Sequence, residues 1–342
     1  MSRVIEIKEI FEEGNWRPQK ILSDIPFQQA FWYGEMQKNR GREVRRFEIS
    51  KDGIKTGYAQ FVVYPLWRDL KYWYSAYGPV IKNADDEIFR KIRLEICAHN
   101  AVFVRLDFTP ALSSEFLKSA GRILTKASLA SSSGSYFQPR HEWYTDISKS
   151  PDEILAAMHQ KTRYSVRYAE KKGVKTEIIS GDKLLSHLQD FLSLMKDTAR
   201  RNKFSLHDDN YYKCFFDEIA KRGNGFAVMA HLGEEAQASH IVVLEGGIAH
   251  YAFGGSSDQK KELCAPYLAH FAGMLEAKKR GAKEYNFGGI SEAGDAPHWA
   301  GVTAFKKRFG GRIVSHSPYF DIVIKPFWYY LYIIRKFFKQ FI

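Results

Sequence analysis

Cysteine is scarce in this chain. The three present, Cys97, Cys214 and Cys264, lie far apart and form no Cys-x-x-Cys pair. That argues against a disulfide framework and against a cysteine-based zinc site. The eleven histidines are scattered as well. His231, His240 and His250 fall on expected strands at spacings of nine and ten, which is not a ligand pattern, so no metal is expected. No Gly-x-Ser-x-Gly elbow offers a serine nucleophile. No run reaches the roughly 18 apolar residues of a membrane span. The first ten residues mix acids among apolar side chains, unlike a secretory signal, so a cytoplasmic protein is expected.

Positive charge and aromatic rings are plentiful. The 342 residues carry a net charge of +12 and 15% aromatics, with 45% hydrophobic residues. The length allows two domains and the apolar content a buried core. The cationic excess points to anionic partners: phosphate-rich ligands, RNA or an acidic membrane. A basic surface kept for solubility accounts for the same number.

Both halves read as helix, three-stranded antiparallel meander, helix, strand. In the first half these are residues 26–40, strands 44–50, 56–65 and 72–80, helix 85–100 and strand 102–108. Asp52-Gly53 marks the first hairpin. In the second half they are helices 183–201 and 210–222, strands 225–232, 236–244 and 247–254, helix 266–280 and strand 284–287. Gly223 and Gly281 act as helix stops. A helix over 151–172, started by Ser150 and Pro151, opens the second domain. The Ser-rich stretch 127–135 reads as a loop, and a last strand spans 319–324. The reading is an α+β fold with a duplicated domain.

The densest motif is Phe305-Lys306-Lys307-Arg308-Phe309-Gly310-Gly311, three cations between two aromatics, ending on a glycine pair. Cations there suit a polyanion and rings suit stacking on bases, while a solvated face before a turn fits the same letters. A second basic segment, 161–174, carries Lys161, Arg163, Arg167 and Lys171 and ends in Gly173-Val174. Between them lie Ala265-Pro266-Tyr267-Leu268, the run Ala277 to Ala282, and Tyr285-Asn286-Phe287-Gly288-Gly289-Ile290. Beyond them come Tyr319-Phe320-Asp321 and Lys325-Pro326.

In this order the blocks resemble the FemABX family, the aminoacyl-tRNA-dependent transferases that build peptidoglycan side branches. The resemblance covers most of the chain and is strongest from about Thr145 to Pro326. No Glu-rich coiled-coil insertion interrupts the second domain, so the chain is similar to the short, FemX-type members. The resemblance implies two GNAT-like (acetyltransferase-type) domains, the last segment returning to the first. The expected domains are residues 1–148 with 317–342, and residues 149–316.

The implied reaction is aminolysis: the stem-peptide amine of a peptidoglycan precursor, UDP-MurNAc-pentapeptide or lipid II, attacks the ester of an aminoacyl-tRNA. Such a reaction needs positioning, removal of an amine proton and a stabiliser for the developing oxyanion, with no cofactor. The resemblance implies Lys306 as the catalytic residue, with Phe305, Lys307 and Arg308 at the tRNA. Arg201, in Thr198-Ala199-Arg200-Arg201, resembles the segment that grips the acceptor diphosphate, a task that bidentate Arg suits. Tyr212 and Tyr251 are further acceptor-site candidates, equally readable as buried tyrosines. Gln28, Gln29 and Trp32 resemble the family's Gln…Trp helix. Four residues on, where the family often has a phosphate-contacting Lys, stands Met36, which leaves Lys38 as the nearest cation. Arg105-Leu106-Asp107 resembles an Arg-x-Asp strand end, with Phe108 in place of the usual Pro, and implies Asp107 on the acceptor side.

The C-terminal tail from Phe327 mixes aromatics with Arg335, Lys336 and Lys339, which suits either peripheral contact with the inner face of the plasma membrane or a helix capping the core. A monomer is expected. Two alternatives stay open. One is a GNAT-like N-acyltransferase with another acyl donor, for which Phe253-Gly254-Gly255-Ser256-Ser257 is a poor pyrophosphate loop. The other is a non-catalytic basic protein that binds RNA or membrane.

Overall fold

The computed structural model describes residues 4–109, 123–126, 138–291 and 299–338. The expected loop at 127–135 lies outside them. The chain divides into two compact units, residues 1–140 with 315–342, and residues 141–314.

In the first unit, β1 (Ile5–Glu9) lies antiparallel to β2 (Glu43–Lys51), and β2 to β3 (Ile54–Trp67). Asp52 and Gly53 close that hairpin, both at positive φ, 51° and 77°, the geometry of a two-residue turn that follows the sheet's twist. The chain returns along β4 (Leu70–Ser75). The third strand expected over 72–80 is shorter. Tyr77, at φ 51°, turns the chain, and β5 (Val80–Ile81) folds back beside Gly57 and Tyr58 of β3. The expected first helix is also shorter, α1 (Phe31–Asn39) preceded by a single 3-10 turn.

Helix α2 (Asp86–Cys97) starts where Asp85 accepts a 3.1 Å hydrogen bond from the Ile88 amide, a cap that contributes about 1 kcal/mol. It buries Ile88, Phe89, Ile92 and Ile96 with Phe61 and Trp73 of the sheet. Strand β6 (Ala101–Leu106) then runs parallel to β4. The sheet is completed by β7 (Thr125–Lys126) and by the late strand β15 (Phe320–Val323), which pairs with both β6 and β7. Arg105 on β6 holds Asp321 on β15 through two hydrogen bonds, 2.8 and 2.7 Å, in a buried pair.

The second unit begins earlier than residue 149. Strand β8 (His141–Asp146) is a full member of its sheet, paired with β13 (Glu284–Ile290). The helix expected over 151–172 is two, α3 (Pro151–Ala157) and α4 (Gln160–Lys171). The break has a local cause. Met158 is extended and its side chain buried, Arg163 caps the carbonyls of Ala156 and Met158, and His159 accepts from the Lys161 amide. Strand β9 (Lys175–Ile179), not anticipated from the sequence, follows and pairs with β10 (Gly225–Leu232). Between them a short turn, Lys183–Ser186, leads to α5 (Leu188–Asn202) and α6 (Asp209–Arg222). Strands β11 (Glu235–Glu245) and β12 (Ile248–Ser256) complete the meander, α7 (Ala265–Lys279) crosses over, and β13 returns parallel to β12. Helix α8 (Ala300–Lys307) and strand β14 (Arg312–Ser315) end the unit.

The two sheets have one strand order. The first runs β1-β2-β3-β4-β6-β15-β7 and the second β9-β10-β11-β12-β13-β8-β14. Sense agrees too, antiparallel throughout the meander, parallel at β4/β6 and β12/β13, antiparallel at β6/β15 and β13/β8. The duplication is therefore visible in pairing as well as in element order. One position is filled differently: β8 precedes its unit's helices, whereas β15 arrives after all its unit's other strands.

Candidate active site

The parallel pair β12/β13 holds only at Ile248–Glu284, Ala249–Tyr285 and His250–Asn286. Both strands then continue without pairing, so a gap opens in the sheet. Bulges lie on each side of it. Across β11, Ile241 faces Phe253 and Val242 faces Tyr251, leaving Ala252 extra. Across β8, Asn286 faces Tyr144 and Gly289 faces Glu142, so Phe287 and Gly288 stand opposite Trp143 alone. Bulges of this kind re-aim side chains and carbonyls. A cavity of about 400 Å³ lies here, walled by Arg201, Tyr251, Ser256, His270, Phe305 and Lys306 among others.

Lys306 sits near the end of α8 with its side chain buried. Its ammonium donates a 2.6 Å hydrogen bond to the Gly289 carbonyl and lies 6.0 Å from the Tyr251 ring centre. Burial pulls its pKa down to about 8, against the pull of the Glu142 carboxylate, which favours the charge. At neutral pH roughly nine in ten molecules still carry the ammonium. The site thus presents a cation that has left water, at a cavity wall, where a point charge acts strongly on developing negative charge.

The rest of the motif divides by environment. Phe305 is half-buried on the cavity wall, in a ring cluster with Tyr267 at 5.0 Å, Phe309 at 5.2 Å and His270 at 5.5 Å. Phe309 is core, so only one of the two motif aromatics is placed to meet a ligand. Lys307 and Arg308 are exposed, Lys307 reaching over the Trp143 ring at 5.8 Å.

Arg201, in the last turn of α5, forms an ion pair with Asp258 and donates to the Ser256 carbonyl (3.2 Å) and hydroxyl (3.0 Å). Thr198, one turn earlier, exchanges hydrogen bonds with the Ser256 backbone at 2.8 and 3.1 Å. The helix end is thereby clamped to the end of β12. Gly255 makes this approach possible, since a Cβ there would stand 2.5 Å from the Leu194 carbonyl. Gly255 therefore serves helix–strand packing, while Gly254 lies against the Tyr251 and His240 side chains, and both glycines border the cavity.

The other expected site residues lie elsewhere. Tyr212 is buried in an aromatic cluster with Phe253 at 5.3 Å and Phe191 at 5.9 Å, and burial pushes its hydroxyl up to about 12. It is not among the residues lining the cavity, and its ring packs against Phe253 of β12. Asp107 and Lys38 belong to the first unit. Asp107 is fully buried, accepts from the Tyr74 hydroxyl at 2.7 Å and from the Tyr77 amide, and burial raises its pKa well above the carboxylate range. It borders a small pocket with Tyr77, Arg140 and His316. Lys38 is largely exposed and paired with Glu35 at 3.0 Å.

The structure adds residues that sequence reasoning passed over. His270 lines the cavity, stacks on His240 at 4.5 Å and contacts the Tyr285 hydroxyl at 3.2 Å. Burial keeps both imidazoles neutral, His240 down at about 3 and His270 well below its ordinary value. Asn286 accepts from the Gly288 amide at 2.7 Å and donates to Glu142 at 2.9 Å. The only signal for Asn286 was its place in the block Tyr285 to Ile290, which marks similarity and not chemistry, and the two histidines stood out only as scattered letters.

Fold and site together define a tandem GNAT-like protein. A tandem GNAT protein from the clavulanic acid biosynthesis pathway shares the fold with a TM-score of 0.56, covering 94% of this chain and 99% of that one at 10% identity. The chain belongs to the FemAB family, which matches residues 117–232 and 227–336. The crystal structure of FemX superposes with a TM-score of 0.78 over 97% of this chain and 99% of its own, at 20% identity. Among curated relatives, the lipid II:glycine glycyltransferase of Staphylococcus aureus (strain USA300) is 24% identical, over 85% of this chain and 86% of that protein. The enzyme of the same name from Staphylococcus epidermidis (strain ATCC 35984) is 23% identical over 57% and 61%.

Proposed function

We propose that this protein transfers an amino acid from aminoacyl-tRNA to the stem-peptide amine of a peptidoglycan precursor. The observation that carries the reading is Lys306, a buried ammonium on the wall of the second unit's cavity, in a chain of the FemAB family. The glycyltransferase relatives support transfer to a lipid-linked precursor.

The uncharged amine attacks the carbonyl carbon of the aminoacyl ester. A C–N bond forms and the carbonyl π pair moves onto oxygen. In this reading Lys306 stabilises that oxyanion, supported by its being the one buried cation lining the cavity among the described residues. Collapse of the intermediate breaks the ester C–O bond, the amine proton leaves, and the ribose hydroxyl departs carrying a proton. The activated ester supplies the driving force, so the protein contributes orientation and electrostatics. Phe305 offers a ring for the terminal base, Lys307 and Arg308 meet the acceptor-stem phosphates, and Arg201 grips the acceptor diphosphate. Tyr251 and Ser256 face the aminoacyl group, and Asp107 and Lys38 remain acceptor-contact candidates.

The test is incubation of the protein with a panel of charged tRNAs and with both UDP-linked and lipid-linked muramyl-pentapeptide, read by mass spectrometry. A mass gain of one amino acid on a precursor is expected. No gain on either precursor, together with transfer from an acyl-CoA, overturns the donor assignment.

A further inference from the structure

Helix α9 (Pro326–Phe338) is apolar on two faces. One face packs on the first unit's sheet. Tyr329 lies 5.3 Å and Tyr332 5.0 Å from Phe103, ring to ring, and the Tyr329 hydroxyl donates to Asp321 at 2.9 Å. Ile333 joins the same cluster. The other face carries Phe327, Tyr330, Leu331 and Ile334, spaced i, i+3, i+4, i+7 and exposed by 73%, 63%, 40% and 52%. A helix that only caps a core turns polar residues outward. This one turns large apolar side chains outward in a continuous stripe.

The charges on this helix have one sign. Lys325 and Arg335 are the cations beside the stripe, Lys336 is half-buried towards Arg105, and no acid occurs in residues 322–342. Asp321 itself is buried against Arg105. Arg335 is exposed and reaches over the Trp67 ring at 5.8 Å, beside the Trp67–Trp328 pair at 5.9 Å.

We infer that this face of α9 docks on an anionic bilayer surface. The helix lies in the interface: its 13 residues, at 1.5 Å each, fall well short of the roughly 30 Å hydrocarbon core. The four apolar side chains enter the acyl boundary, Trp328 and Trp67 sit at headgroup depth, and Lys325 and Arg335 meet lipid phosphate. Charge complementarity selects this occupant. A second copy on the stripe brings two cationic rims together, and an acidic peptide leaves the four apolar residues unanswered. The inference stands on the helix alone, whatever acyl group the protein transfers.

The test is co-sedimentation of the full chain with vesicles of phosphatidylcholine, with and without phosphatidylglycerol. Binding to the anionic vesicles is expected. Leu331→Asp with Ile334→Asp should weaken it at least about tenfold, and Arg335→Gln by about fivefold, as about 1 kcal/mol per surface cation implies. Thermal melts should be unchanged, since these side chains are exposed. Transfer to a soluble acceptor should also be unchanged, which separates this test from that of the proposed reaction. Absence of binding to either vesicle, equal binding by the variants, or a concentration-dependent dimer that the double variant abolishes each overturns the inference.

Discussion

Lys306 and Gly289 are joined by a 2.6 Å hydrogen bond from the ammonium to the carbonyl. That carbonyl faces the lysine because β13 bulges at Phe287-Gly288, with Gly288 at φ 71° and its amide held by the Asn286 side chain. The lysine is therefore positioned by a turn in the strand whose parting from β12 opens the cavity. Lys306→Met should lower kcat by about 100- to 1000-fold, the usual effect of removing an oxyanion stabiliser. A rate within a few-fold of the unaltered protein returns Lys306 to a structural role.

The same substitution should not destabilise the fold at pH 7. The folded pKa of about 8 lies below the ordinary 10.5. Below pH 8 both states hold the proton, and the cost of burying the charge, about 3 kcal/mol, is fully present. Between about 8 and 10.5 the native state loses its proton first and that cost is relieved. The lost bond to Gly289 offsets part of the gain, by about 1–3 kcal/mol. Lys306→Met should thus melt no lower than the unaltered protein at pH 7 and compare less favourably at pH 10. Scanning calorimetry at the two pH values checks the sign.

Turnover should fall as pH rises through about 8, because the stabilising cation is then lost. Glu142 favours that cation, so Glu142→Gln should move the alkaline limb of the kcat profile to lower pH. An alkaline limb that stays in place removes Glu142 from control of Lys306.

Arg201 is held at the cavity edge by Asp258 and Ser256. Arg201→Ala should raise the acceptor KM more than it lowers kcat, since diphosphate grip is mainly uniform binding. Asp258→Asn should do the same more weakly, by freeing the guanidinium. Steady-state kinetics with varied acceptor tests both; an unchanged KM in Arg201→Ala excludes it from the acceptor site.

The buried Arg105–Asp321 pair ties β15 to β6 across 216 residues of sequence. Asp321→Ala leaves a buried guanidinium without its carboxylate and should cost about 3–5 kcal/mol. Denaturant unfolding measures it. A loss below about 1 kcal/mol shows that the C-terminal strand is held by its apolar contacts instead.

Local signals in the sequence determined the elements. The Asp52-Gly53 hairpin, the Asp85 cap with its apolar helix face, and the glycine stops at 223 and 281 act within a few residues and are legible as letters. The repeated order of elements carried the duplication, and the ordered blocks carried the family. Tertiary structure alone decided which strands pair across the chain. It drew β8 into the second sheet, and the burial of Met158, together with the Arg163 and His159 caps, split a single expected helix. It also decided the site. Lys306, Lys307 and Arg308 are adjacent cations in sequence, yet only Lys306 is buried, because burial on a helix follows a period of 3.6 and the face α8 turns to β13. Tyr212 and Tyr251 are alike as letters, and packing puts one against Phe253 and the other at the cavity. Desolvation, which gives Lys306 its altered proton affinity, is a property of the folded surroundings that no single residue type encodes.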